Sequence, residues 1–177
     1  IMDTFSPRLK NGNIVIEELG MSEEDIRSIR KIMIVACGSA YHTGMTSKYV
    51  FEGLARIPVE VDLASEFRYR NPILDEGTLL IVVSQSGETA DTLAALRAAK
   101  EKGIRVLGIV NVVGSSIARE ADNVMYTWAG PEIAVATTKA YSAHLISLYL
   151  LAMKFAHVRG ELSDQGRADM IEELKEL

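Results

Sequence analysis

Short, nearly unbroken apolar runs alternate along the chain with longer segments whose apolar positions return at helical spacing. The runs at 31–36, 59–63, 78–83, 105–110 and 123–128 read as five strands. Residues 41–55 carry Tyr41, Met45 and Tyr49 on one stripe, with Phe51 and Leu54 further on, which predicts a helix. The segment 89–102 is rich in Ala, Leu, Arg and Lys, and Gly103 follows its end, so it predicts a second helix. Further helices are predicted at 115–121, 138–158 and 163–177. Ser22 followed by Glu23, Glu24 and Asp25 opens a short one running to about Arg30, with a capping hydroxyl and acids at its positive end.

Strands that are apolar throughout suit a parallel sheet covered on both faces. Five of them alternating with helices imply an α/β three-layer αβα sandwich, a doubly wound sheet of flavodoxin-like strand order 2-1-3-4-5. Residues 1–21, polar over 3–13 and containing Pro7 and Gly12, read as a leading linker, and 22–160 as the domain. The 138–158 helix is apolar on most of its surface beyond Leu145. That predicts burial on several sides, with cover by a partner subunit or by a further part of a longer chain, and a two-fold homodimer is expected.

Composition narrows the functional classes. The chain has 177 residues, 48% hydrophobic and 24% charged, which is the range of an ordinary globular domain. A net charge of −5 argues against a nucleic-acid surface, so any phosphate must be held by a local site. The single cysteine, Cys37, excludes an internal disulfide and fits a reducing, cytoplasmic setting. The longest uncharged apolar stretch, 140–153, includes His144 and two serines and is too short for a membrane span. The sequence begins at Ile1 and stops within a predicted helix, which reads as a piece of a longer protein.

In an open parallel sheet a ligand sits beyond the carboxyl ends of the strands where the winding reverses, here between strands one and three. Cys37-Gly38-Ser39-Ala40 follows strand one, and Ser84-Gln85-Ser86-Gly87-Glu88-Thr89 follows strand three. Ser84, Ser86 and Thr89 supply hydroxyls, Gly87 permits close backbone approach, and the next helix offers free N–H groups. Such a loop can hold a phosphate monoester without Lys or Arg, although one Ser-rich turn taken alone is equally an ordinary strand–helix connection. Neither the dinucleotide fingerprint nor the Gly-x-x-x-x-Gly-Lys loop is present, which weakens a nucleotide-binding reading.

The runs 36–42 (ACGSAYH), 64–70 (ASEFRYR), 84–92 (SQSGETADT) and 130–140 (GPEIAVATTKA), in this order, resemble the first sugar-isomerase (SIS) domain of the glucosamine-6-phosphate synthase family. The resemblance covers about residues 25–158. It implies a parent chain with a glutaminase domain and a second SIS domain, to which residues 161–177 would lead. That parent makes glucosamine 6-phosphate and glutamate from fructose 6-phosphate and glutamine, with no cofactor and no metal. It implies a phosphate loop of Ser84, Gln85, Ser86 and Thr89, a first-strand loop of Cys37, Gly38, Ser39 and Ala40, and a sugar-lining segment of Val135, Ala136 and Thr137. The family commonly has Cys-Gly-Thr-Ser where this chain has Cys37-Gly38-Ser39-Ala40, so the last position lacks a hydroxyl. The family's catalytic groups belong to the second SIS domain, which implies no catalytic residue here and a chain inactive by itself. A stand-alone phosphosugar sensor is the rival reading.

Several residues have plainer roles. Cys37 has no histidine partner visible in sequence and reads as a pocket wall. His42, His144 and His157 lack metal-ligand spacing with Cys, Asp or Glu. His42 lies near the predicted pocket. Glu66 reads as a helix-start carboxylate or a partner for Arg68 or Arg70, and Lys139 as the start of a helix.

Overall fold

The computed structural model describes residues 1–133 and 137–176. Five strands, β1 (Lys31–Ala36), β2 (Val59–Leu63), β3 (Thr78–Ser84), β4 (Arg105–Val110) and β5 (Asn123–Tyr126), form one parallel sheet of order 2-1-3-4-5. The register pairs Ile34 of β1 with Val61 and Ile81, which brings Ala36 level with Val83 at the carboxyl edge. The central strands are apolar at successive positions because both sides are covered. Ile32, Ile34, Leu79, Ile81 and Val83 enter one core, and Met33, Val35, Leu80 and Val82 enter the other.

Seven labelled helices supply the cover: α1 (Glu23–Ser28), α2 (Gly38–Leu54), α3 (Ala64–Tyr69), α4 (Ala90–Glu101), α5 (Ser116–Glu120), α6 (Lys139–Val158) and α7 (Asp164–Lys175). Phe67 of α3, Leu96 of α4 and Ile117 of α5 fill one core, while Phe51 of α2 and Leu148, Leu151 and Phe155 of α6 fill the other. The rings of Phe51 and Phe155 meet edge-on at 6.1 Å. Ser22 closes a capping box with Asp25 at the head of α1, as its sequence predicts.

Two expectations change. The first concerns α6, whose apolar surface the sequence assigns to a partner subunit or to a further part of a longer chain. Leu148, Leu150, Leu151, Met153, Phe155 and Val158 are buried within this one chain, between the sheet, α2 and the N-terminal segment. The all-round apolar helix is therefore the middle of a core and gives no ground for self-association. Among the described residues no helix is long and apolar enough to cross a membrane.

The second concerns residues 1–21, read as a linker. They form a single helical turn (Met2–Phe5), a small hairpin (Leu9–Lys10 with Asn13–Ile14) and two 3₁₀ turns, and they bury Phe5, Ile14, Ile16 and Leu19. Arg8 is 2% exposed; it donates to Glu18 at 2.6 Å, to Thr4 O at 2.6 Å and to Tyr126 O at 2.7 Å. The Thr4 hydroxyl donates to Thr127 O. The arm thus satisfies carbonyls at the end of the edge strand β5 and shields it. Its apolar residues follow neither a two-residue nor a helical period, so no sequence pattern marks it as part of the core.

Candidate phosphosugar site at the switch point

Strand β1 passes into α2 through one extended residue, Cys37, and α2 begins at Gly38 with φ +54°. The helix starts three residues before the apolar stripe that predicted it, because Gly38, Ser39 and Ala40 carry no large apolar side chain. Cys37 and Thr89 are the N-cap residues of α2 and α4, and neither caps its helix with its side chain. Two helix N-termini, with unpaired first-turn N–H groups, therefore open on the same side of the sheet.

The loop between β3 and α4 is braced from within. Ser84 Oγ lies 2.9 Å from Thr89 Oγ1 and accepts the Gly87 amide at 3.1 Å, and Ser86 Oγ accepts the Glu88 amide at 3.2 Å. Gly87 has φ +68°, and a Cβ there would stand 2.0 Å from the Ser115 hydroxyl. Glu88 faces away from the loop and caps α5 by accepting the Ser116 amide at 2.8 Å; that contact lowers its pKa. The Gln85 carbonyl accepts the Asn111 amide at 3.1 Å. The Asn111 side chain donates to Gly130 O at 2.7 Å and accepts from Thr127 Oγ1 and the Ala129 amide. One residue at the end of β4 thereby ties the loop to the segment after β5.

These pieces enclose a cleft of about 180 Å³ lined by Cys37, Ser39, Ala40, Val83, Ser84, Gln85, Ser86, Thr89, Glu132, Thr137 and His144. Of the predicted residues, Gly38 sets the turn but does not line the cleft. Val135 and Ala136 lie outside the described residues. Thr137 lines the cleft and donates to Glu132 Oε2 at 3.0 Å. Ala40 contributes no hydroxyl, and its carbonyl is engaged by Thr43 Oγ1 at 2.6 Å. Cys37 Sγ is met by the Thr92 hydroxyl at 3.8 Å, which suits a wall rather than a nucleophile. Among the described residues no Lys or Arg lines the cleft, and its donors are hydroxyls, amides and the imidazole of His144.

Sequence reasoning missed Glu132 and His144 as cleft residues. Glu132 stood inside the quoted 130–140 motif; His144 carried no signal beyond its polarity in an apolar helix. His42 is exposed, stacks edge-on to Tyr41 and does not reach the cleft. Glu66 is exposed in the first turn of α3 and partners neither arginine: Arg68 pairs with Asp91 at 3.0 Å, and Arg70 with Asp62 and Glu60. The Lys139 ammonium donates to Pro131 O, outside the cleft. A larger open hollow of about 690 Å³ lies beside Asp3, Pro7, Asn111, Val112, Trp128, Gly130 and Pro131, but it has no cluster of hydroxyl donors and no long-helix N-terminus.

Residues 25–154 match the family model described as SIS domain. The chain belongs to the SIS domain family. A glutamine–fructose-6-phosphate aminotransferase (isomerizing) of Caldanaerobacter subterraneus is 60% identical over 178 residues, covering all of this chain and 29% of its own length. The enzyme of the same name from Clostridium tetani is 59% identical over 99% of this chain and 28% of its own length. The solved C-terminal domain of glucosamine-fructose-6-phosphate aminotransferase from Francisella tularensis superposes with a TM-score of 0.92 at 40% identity, covering 98% of this chain and 49% of that one. This SIS chain therefore spans less than a third of the length of the curated relatives it matches, and its five-stranded αβα architecture is that of the solved domain.

Proposed function

We propose that the chain is the fructose-6-phosphate-binding isomerase-half domain, the first of two SIS domains, of a cytoplasmic, homodimeric glucosamine-6-phosphate synthase that also carries a glutaminase domain. The parent reaction converts fructose 6-phosphate and glutamine to glucosamine 6-phosphate and glutamate. The observation that carries this reading is the cleft, without Lys or Arg among its described residues, in which the Ser84–Thr89 loop and the N-termini of α2 and α4 converge. A hydrogen bond to a charged group contributes about 1.5–3 kcal/mol, so three or four of them hold a phosphate monoester. Ser86, Thr89 and the first-turn amides would take the phosphate, while Thr137 and Glu132 would face the sugar.

The names of the relatives favour the synthase over a stand-alone sensor. Exposed Val113, Trp128 and Ile133 near the cleft end of the sheet fit cover by another domain or subunit. Glutamine hydrolysis requires a cysteine nucleophile, and Cys37, the one cysteine, is built into the cleft wall. The chain alone should therefore bind substrate without turning it over. Calorimetry with fructose 6-phosphate, glucose 6-phosphate, glucosamine 6-phosphate and ATP tests the site: the phosphosugars should bind and ATP should not. Appearance of glucosamine 6-phosphate or glucose 6-phosphate on incubation with fructose 6-phosphate and glutamine or ammonium would place catalytic groups in this half.

A further inference from the structure

His144 stands in the second turn of α6, where that helix passes under the cleft. It is 1% exposed, yet it is one of the residues that line the cleft. Neither Nδ1 nor Nε2 has a hydrogen-bond partner among the described residues. Native structures rarely leave a buried polar group unpaired, and both nitrogens of one imidazole are unpaired here. An apolar residue of similar size would fill the same position at lower cost.

The ring approaches from the side opposite the hydroxyl loop. Val83 at the end of β3 belongs to the core that α6 fills, whereas its neighbours Leu80 and Val82 belong to the core that α4 fills. Ser84 follows in the phase of Leu80 and Val82 and is joined to Thr89 at the head of α4. His144 therefore lies on the α6 side of the sheet, across from the N-terminus of α4, and shares the cleft lining with Ala40, Glu132 and Thr137. Resting on the phosphosugar reading above, we propose that His144 recognises the polyol part of the ligand, its neutral ring making one hydrogen bond to a sugar hydroxyl. Desolvation lowers the His144 pKa to about 4, which keeps the ring uncharged at neutral pH. A neutral imidazole has one donor and one acceptor nitrogen, and a hydroxyl, which both donates and accepts, can pair with either. Inorganic phosphate lacks the polyol and should not sense the ring.

The test is calorimetry on the full chain with fructose 6-phosphate and, separately, inorganic phosphate, using H144L and H144Q. Leucine fills the space and removes both polar groups; glutamine keeps a donor and an acceptor. We expect H144L to melt at or above the wild-type temperature and to bind fructose 6-phosphate about ten-fold more weakly. Its affinity for inorganic phosphate should stay within about two-fold, and H144Q should recover most of the lost sugar-phosphate affinity. Unchanged fructose 6-phosphate binding by H144L would reduce His144 to a core residue, and equal weakening for both ligands would place the contact on the phosphate. Either result overturns the proposal while leaving the site intact. A wild-type chain that binds no fructose 6-phosphate would overturn the proposed function itself, and this inference with it. If H144L does not fold, H144F, which keeps a ring of similar size without polar atoms, takes its place, with the same expected and overturning results.

Discussion

The hydroxyl of Ser84 stands 2.9 Å from that of Thr89, and the same Ser84 oxygen accepts the Gly87 amide. One buried serine thus fixes both ends of the loop. Ser84 and Ser86 are consequently not equivalent. Ser84→Ala should open the loop and cost about 1 kcal/mol of stability, the usual net value of such a bond. The double substitution S86A/T89A removes the Ser84–Thr89 and Ser86–Glu88 bonds and should cost about 1 kcal/mol of stability for each while the fold stays intact; it should weaken phosphosugar binding by about a hundred-fold or more, given about 1.5–3 kcal/mol for each bond to a charged group. Unchanged binding by calorimetry would remove the site.

Gly87 combines a left-handed backbone with contact against Ser115. Gly87→Ala should cost about 1–2 kcal/mol from the backbone alone. It should also displace Ser115, which stands at the head of α5. Replacing Ser115 by Gly in the same chain should relieve the clash and leave the backbone cost. Urea denaturation of the single and double variants separates the two contributions.

Arg8 anchors the N-terminal arm against Thr4, Glu18 and Tyr126. Arg8→Met should destabilise the chain by about 2 kcal/mol. That is below the range for removing one partner of a fully buried pair, because Glu18 is 35% exposed and can rehydrate. Phosphosugar affinity at low denaturant should not change, since the arm lies along β5 and not at the cleft. Loss of binding would mean that the arm shapes the site through Thr127 and Asn111.

His144 also sets a pH dependence. Its folded pKa, about 4, is below the ordinary histidine value of 6.5, so between these values the unfolded chain binds the extra proton. Its contribution is complete above pH 6.5 and is lost as pH falls toward 4, amounting to about 3 kcal/mol at most. Carboxylates with lowered pKa, such as Glu60 beside Lys31 and Asp122 beside Lys100, lose their contribution at lower pH still. Urea titrations at pH 7, 5.5 and 4.5 should show a falling midpoint for wild type and a flatter profile for H144Q. Parallel profiles would mean that the ring is not held neutral by burial.

The strands, their order and the two loops at the switch point were legible in the sequence because each depends on neighbours along the chain. Apolar runs mark strands buried on both faces, and Ser-Gly-rich turns mark the helix N-termini that follow them. The helix at α6 shows the limit of such reading. Its apolar surface states that it must be covered, but not by what. The cover came from Phe5, Ile14 and Phe51, distant in sequence and brought together only when the sheet closes. The same holds for Arg8, whose partner Tyr126 is more than a hundred residues away, and for His144, which looks like a stray polar residue until the fold sets it on the same cleft as Ala40, Val83 and Thr137. Local pattern determined the elements and the Ser84–Thr89 loop. Long-range burial alone decided which isolated side chains became core, edge cover and cleft, because desolvation depends on contacts that no local spacing encodes.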